Sequence, residues 1–204
     1  MTLNLNKEGT LIHAIILGIF CLGFGIFLAL TELATRESIA ARAMEDRQNS
    51  LGQVIPANIH DNNPVTDMLA MQDDEGHDIT VYRARQAGQV TGVAYEIHGS
   101  GYAGHMKFML GVDAEGRILG VRALSHKETP GLGDKIETKK GDWILQFAGL
   151  SLGNPPAEKW KVKKDGGQFD QFTGATITPR GTVKAIRAGL DFFAAHRAQL
   201  LEVN

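Results

Sequence analysis

Cysteine occurs once in this chain, at Cys21, and that scarcity removes several kinds of chemistry at once. One thiol leaves no intrachain disulfide, no Cys-x-x-Cys redox pair and no Cys-x-x-Cys-His haem attachment, and the chain alone cannot hold a four-thiolate iron–sulfur cluster. The seven histidines (His13, His60, His77, His98, His105, His126 and His196) form no His-x-x-x-His or His-x-His pair, so no spacing proposes a metal site. A Gly-x-x-x-x-Gly-Lys loop is absent, as are internal repeats and low-complexity stretches. Charge of either sign is nearly balanced: 204 residues carry a formal net charge of −2. Nucleic acid is therefore not an expected partner, since phosphate-backbone binding needs clustered basic charge. The one local basic cluster, "EKWKVKK" at 158–164, alternates Trp160 and Val162 with lysines and reads as a strand with one solvated face. Any redox role needs an organic cofactor.

Long apolar runs are also rare, with one exception. Residues 11–30, "LIHAIILGIFCLGFGIFLAL", contain only His13 as a clearly polar member. At about 1.5 Å per residue such a run is long enough to cross a hydrocarbon core of about 30 Å. A cleavable signal peptide has a shorter apolar core, of roughly 7–15 residues, followed by a small-residue cleavage site. The expectation is a retained anchor in membrane lipid. Arg36, Arg42 and Arg47 follow the run, against Lys7 and Glu8 before it, so a naive positive-inside count puts the larger part of the chain in the cytoplasm. A large domain overrides weak charge bias, and charge alone does not decide the side.

The expected organisation is a tail over 1–10, a transmembrane helix over 11–30, a helical stalk and linker over 31–64, and one domain over 65–204. The stalk lacks Gly and Pro until Gly52 and Pro56, and "HDNNP" at 60–64 is a turn. From about Ile79 the apolar period becomes two: "ITVYRAR", then "VTGVAYEIHG", "HMKFMLGV" and "RILGVRALSH", with "DAEG" as a hairpin loop. This is an antiparallel meander. "DKIETKKGDWILQFAGL" predicts a short helix, and "WKVKK" with "GGQFD" a hairpin. A last helix starts near Pro179, with Val183, Ile186, Leu190 and Phe193 as its apolar stripe. The fold class is α+β.

Just before that helix stands "QFTGATITPRG", with three threonines in six positions. Pro179 suits the first helical position, which makes Thr178 the expected N-cap over the amides of Arg180 and Gly181. The same helix start attracts an anion, with Arg180 and Lys184 adding charge and Gly174 and Ala175 keeping the approach open. The residues themselves go no further than an anion or a phosphate.

"TGATIT", residues 173–178, resembles the Ser/Thr-Gly-Ala-Thr-x-Ser/Thr signature of the covalent FMN-binding domain family. "SHKETPGLGDKI" at 125–136 and "GYAGHM" at 101–106 are similar to two further segments of that family, in the same order. The resemblance covers nearly the whole chain and is strongest to the G subunits of Rnf/Rsx ion-translocating electron-transport complexes. It implies FMN esterified through its phosphate to Thr178 by a flavin transferase that consumes FAD. It also implies cofactor contacts from Thr173, Gly174, Ala175, Thr176, Glu128, Thr129 and Leu132, while Tyr102 either stacks on the flavin or simply ends a strand. His126 is an exposed histidine without an assigned role. The implied function is an electron relay: a redox subunit that is not catalytic by itself, working with the other subunits of a ferredoxin/NAD oxidoreductase that moves Na+ or H+. The implied location is the bacterial inner membrane, single-pass, with the domain periplasmic. The related C subunit of the sodium-pumping NADH:quinone reductase, a threonine hydrolase without a base–orienter pair, and a cofactor-free extracytoplasmic domain are the alternatives.

Overall fold

A computed structural model of the chain describes residues 7–72, 76 and 78–202. The first six residues of the expected tail, and His77, lie outside that set. Two compact units divide the chain, Met1–Asp46 and Arg47–Asn204.

One helix, α1 (Lys7–Val54), continues without a break through the apolar run and on to Val54, within the segment 31–64 expected as stalk and linker. Its large apolar side chains from Leu11 to Leu33 are exposed. An apolar, unpacked stretch of this length is long enough to cross a membrane. No proline interrupts the chain before Pro56, where a 3-10 turn (Ala57–Ile59) begins.

The second unit is built on one five-stranded antiparallel sheet in sequential order: β1 (Met68–Gln72), β2 (Asp78–Gln86), β3 (Gln89–Ser100), β4 (His105–Asp113) and β5 (Ile118–Ser125). The meander read from the sequence is present, with one strand more: β1 pairs Met68 with Tyr82 through Gln72 with Asp78. Its five residues are too short and too exposed to show an alternating pattern. Alternation along the central strands sorts side chains onto two buried faces. Val93, Tyr95, Ile97, Met106, Phe108, Leu110 and Val112 enter the larger core, while Ala94 and Met109 point the other way.

The smaller core is closed by the last turns of α1, with Leu51, Val54 and Ile55 packed against Tyr82, Ala84, Ala94 and Met109. Paired Gly111 and Gly120 make room for this contact. A Cβ on Gly111 would overlap the Val54 carbonyl, and one on Gly120 would lie 3.0 Å from the Gln53 carbonyl oxygen.

The larger core is covered by α2 (Ile177–Leu200) and by a segment that departs from expectation. Between β5 and α2 the predicted helix is two separate 3-10 turns, Asp134–Ile136 and Trp143–Phe147. The predicted "WKVKK" hairpin is absent too. Its place is taken by 3-10 turns at Ala157–Lys159 and Lys163–Asp165, with one isolated parallel bridge between Val162 and Phe169. The physical reason is aromatic packing. Trp160, Phe169 and Phe147 form a stacked and tilted cluster with centroid separations of 4.7 to 6.4 Å, continued by Trp143 against Phe172. The alternation of Trp160 and Val162 with lysines suggested a strand; both are buried, and Trp160 packs in this cluster.

Tyr95, fully buried, donates its hydroxyl to the Gly189 carbonyl at 2.7 Å and thereby ties β3 to α2. Burial pushes its phenol pKa well above the ordinary value. Above about pH 10 the tyrosine ionises in the unfolded chain but not in the folded one, so the unfolded state binds fewer protons and stability falls as pH rises. Tyr95→Phe is expected to cost about 1 kcal/mol near neutrality. It should also flatten the alkaline loss of melting temperature. Parallel pH slopes for the two proteins would disprove the linkage.

Candidate functional site

Three loops meet at one end of the sheet. The β3–β4 loop carries "GYAG", residues 101–104, closed by a 2.7 Å bond from the Gly101 N–H to the Gly104 carbonyl. The loop after β5 carries "ETPGLG", turned by the Leu132 and Gly133 amides donating to the Thr129 carbonyl at 3.1 and 3.2 Å. The third segment leads into α2, with a turn at Thr173 and Gly174 bridged by the Ala175 amide on the Phe172 carbonyl at 3.1 Å. The segments singled out in the sequence are thus brought together.

Between them lies a cavity of about 590 Å3. Its walls include Tyr102, Glu128, Thr129, Leu132, Gly174, Ala175 and Thr176, all expected, together with Gly133, Lys164 and Ile177, which were not. Of the remaining expected residues, Thr173 is exposed in the turn, and Arg180 and Lys184 are exposed and do not line the cavity.

Thr178 occupies a different helical position from the one its sequence context predicts. The helix begins at Ile177, so Thr176 is the N-cap, Thr178 is the second helical residue and Pro179 the third. Proline is tolerated there because first-turn amides have no intrahelical acceptor. Thr178 therefore does not cap the amides of Arg180 and Gly181. It is buried, at 0% exposure, and its hydroxyl donates to the Glu128 carboxylate. The other Glu128 oxygen accepts the Ala103 amide at 2.9 Å. Gly133 closes over the pair: a Cβ there would come within 2.6 Å of Glu128 Oε2 and 2.8 Å of Thr178 Oγ1. Glu128 is itself 6% exposed, so this carboxylate links all three loops from beneath the cavity.

His126 supports the same loop. Its Nδ1 accepts the Glu128 amide at 3.2 Å, which puts its proton on Nε2, donated to Glu137 at 2.8 Å. It is part-buried and engaged at both nitrogens, not an exposed bystander.

Thr176 has the opposite character to Thr178. It lines the cavity, is only partly buried, and among the described residues its hydroxyl has no hydrogen-bond partner. Both threonines stand at the positive end of a 24-residue helix, beside the Ile177 and Thr178 N–H groups. Arg180, expected to face the anion, is held by Asp165 through two bonds of 2.6 Å. Those bonds keep the Asp165 carboxyl below its usual range and the Arg180 guanidinium above its own. Among the described residues, the cation lining the cavity is Lys164.

Comparison with known proteins agrees with this architecture. The FMN-binding domain family matches residues 101–191, which contain all three loops, and the RnfG N-terminal region family matches residues 1–54. The G subunit of the ion-translocating oxidoreductase complex of Cereibacter sphaeroides (strain ATCC 17029 / ATH 2.4.9) is 51% identical over 195 residues, 96% of this chain and 89% of that protein. The chain belongs to the family of G subunits of ion-translocating oxidoreductase complexes. Other members are similar across the same span: the G subunit of Stutzerimonas stutzeri is 48% identical over 92% of this chain and 82% of its own length. That of Vibrio vulnificus (strain YJ016) is 42% identical over 93% and 92%. Among solved structures, the C subunit of the Na(+)-translocating NADH-quinone reductase from Parabacteroides distasonis superposes with a TM-score of 0.51 at 19% identity, covering 79% of this chain and 94% of that one. That likeness is one of fold. The G-subunit assignment rests on sequence similarity along nearly the whole chain.

The residues present fit an FMN. Threonine hydroxyls at a helix start with one lysine beside them suit a phosphate, and Leu132, Ile177 and Tyr102 offer apolar surface for a ring. Thr129 adds a polar side chain to the lining.

Proposed function

We propose that this chain is a membrane-anchored electron relay that carries FMN as a phosphoester of Thr178, in an ion-translocating oxidoreductase complex of Rnf/Rsx type. The observation that carries the reading is the pairing of Thr178 with Glu128 inside the FMN-binding domain. A hydroxyl that donates to a carboxylate is a nucleophile beside its base. The pair lies under a cavity wall made by Glu128 itself and by Gly133, which closes over it. A second reading places the ester on Thr176, whose unbonded hydroxyl opens directly into the cavity. That hydroxyl has no base beside it, so Thr178 is preferred.

Attachment by a flavin transferase would move the FMN phosphoryl group of FAD onto the Thr178 oxygen with AMP as the leaving group, and Glu128 would accept the hydroxyl proton. Reaching Thr178 requires the "ETPGLG" loop to lift at Gly133. The flavin supplies the electron chemistry when bound. The chain's own residues hold and orient it: the first turn of α2 and Lys164 at the phosphate end, Leu132, Ile177 and Tyr102 along the apolar wall, and Thr129 at a polar edge. Full-length protein produced with a transferase should show acid-stable visible absorbance and an intact mass above the bare chain by one FMN less one water. A colourless protein would overturn the relay reading and favour a cofactor-free domain.

The domain is assigned to the periplasmic face, with α1 as a single span in the inner membrane. A covalent link is most useful there, because a lost flavin is not replaced outside the cytoplasm. A reporter that is active only after export, fused behind Asn204, is expected to be active. Activity of a cytosol-only reporter at that position would reverse the topology and restore the arginine count.

A further inference from the structure

Among the described residues one cation, Lys164, lines the cavity, and the chain fixes its backbone from several sides. Lys164 lies in the middle of the 3-10 turn Lys163–Asp165, which ends at Gly166 in the left-handed region at φ 82°. Its neighbour Asp165 grips Arg180, on the first turns of α2, through paired bonds of 2.6 Å. The Lys164 amide donates to the Gln171 side chain at 3.3 Å, in the segment leading into α2. Lys163 pairs with Asp170 at 2.7 Å. Three contacts thus tie this turn to the segment that carries Thr176 and Thr178. Among the described residues, only Lys164 in the turn keeps a side-chain charge with neither ion pair nor hydrogen bond, and it faces the cavity.

We propose that Lys164 is the counter-ion of the threonine-linked phosphate, and that the Asp165–Arg180 pair is the clamp that positions it. The inference rests on the FMN assignment above. Once esterified, the phosphate is a diester with one negative charge and no proton to shed. A single ammonium together with the Ile177 and Thr178 amides matches that charge. Arg180, the stronger phosphate ligand by chemistry, is withheld from it by Asp165 and serves to place the turn instead.

The test uses full-length protein in detergent, labelled with a flavin transferase and FAD. Lys164→Ala is expected to slow labelling roughly three- to fivefold at low salt, with the gap closing as ionic strength rises. Lys164→Arg should restore the rate. Once labelling is driven to completion, Lys164→Ala should shift the phosphorus-31 resonance of the diester and lower the fluorescence anisotropy of the flavin. Asp165→Asn should reproduce both changes in part, with Lys164 intact. Slowed labelling with an unchanged phosphorus resonance would mean that Lys164 contacts the transferase, and would overturn the proposal, as would unchanged labelling. Thr178→Ala, labelled in parallel, reads the attachment site alone. Flavin retained there refutes that site, while the phosphorus resonance still reports on Lys164 wherever the ester sits.

Discussion

Thr178→Ala is expected to yield a full-length protein with no covalent flavin, while Thr176→Ala keeps it. The two threonines are separated by one residue in the same signature, but their surroundings differ completely. Thr178 is the hydroxyl bonded to a carboxylate, and removing it deletes both the acceptor atom for phosphorus and the partner of Glu128. The loss should be total in a denaturing gel viewed for flavin fluorescence. Leaving a buried carboxylate with one donor fewer costs about 1–3 kcal/mol, so the same variant should melt lower as apo-protein. Thr178→Ser retains the oxygen and should retain the flavin, which separates chemistry from folding. Glu128→Gln keeps the shape of the pair and removes the base. It should slow labelling by roughly a hundredfold or more while the ester, once formed, stays intact. Thr176→Ala removes a hydroxyl without a partner and should leave both the melting temperature and the final extent of labelling unchanged. The reverse pattern, fluorescence kept with Thr178→Ala and lost with Thr176→Ala, would make Thr176 the carrier and reduce Glu128 to a loop tie.

Most of the scaffold was legible because it follows a short period. Val93, Tyr95 and Ile97 in β3, and Met106 to Val112 in β4, alternate as a half-buried meander requires, and α1 and the stripe of α2 announce themselves by length and spacing. The region between β5 and α2 was not legible. Its side chains are organised by a long-range aromatic cluster, Phe147, Trp160 and Phe169, whose members lie in or after 3-10 turns with no period to read. Within the site, the signatures located the three loops but not the direction of their side chains. Glu128 reads as a flavin neighbour and does line the cavity, yet its two oxygens are turned to Ala103 and Thr178. Lys164 was missed because a lysine in a run of lysines reads as solvated. Its placement depends on Asp165 reaching Arg180, fifteen residues away, which no local pattern reports. Proline at the third helical position reads as the first in the sequence, and that shift of two residues moves the expected cap from Thr176 to Thr178.

Gly181→Ala is expected to be among the most damaging single changes in the domain, although it replaces a helical glycine with the best helix former. Propensity alone predicts a gain of about 1 kcal/mol. Gly52, exposed in the last turns of α1 with no packing atom within 4 Å of an added methyl, is the control in which Gly→Ala should be neutral or stabilising. At Gly181 the opposite holds, because a Cβ would overlap the Ser100 carbonyl of β3 and lie 3.1 Å from Met106 Cε. The Ser100 carbonyl is backbone at the end of a strand and has no rotamer with which to yield. The contact belongs to a seam of small residues at four-residue steps, Gly181, Ala185 and Gly189. Ala185 Cβ would be 3.0 Å from a Cβ on Gly99, and a Cβ on Gly189 would sit 2.6 Å from Leu110 Cδ2. Along this seam α2 lies directly on β3 and β4, which sets the height of its first turn above the sheet. Forcing a methyl into the seam lifts that turn, and with it Thr176, Thr178 and the bond to Glu128. The expected cost is about 3–5 kcal/mol, read as a large drop in melting temperature, together with a labelling defect in whatever protein remains folded. A Gly181→Ala protein that melts at or above the wild-type temperature would show that helix and sheet are not in backbone contact. The cavity would then owe its shape to the loops, without the α2 seam.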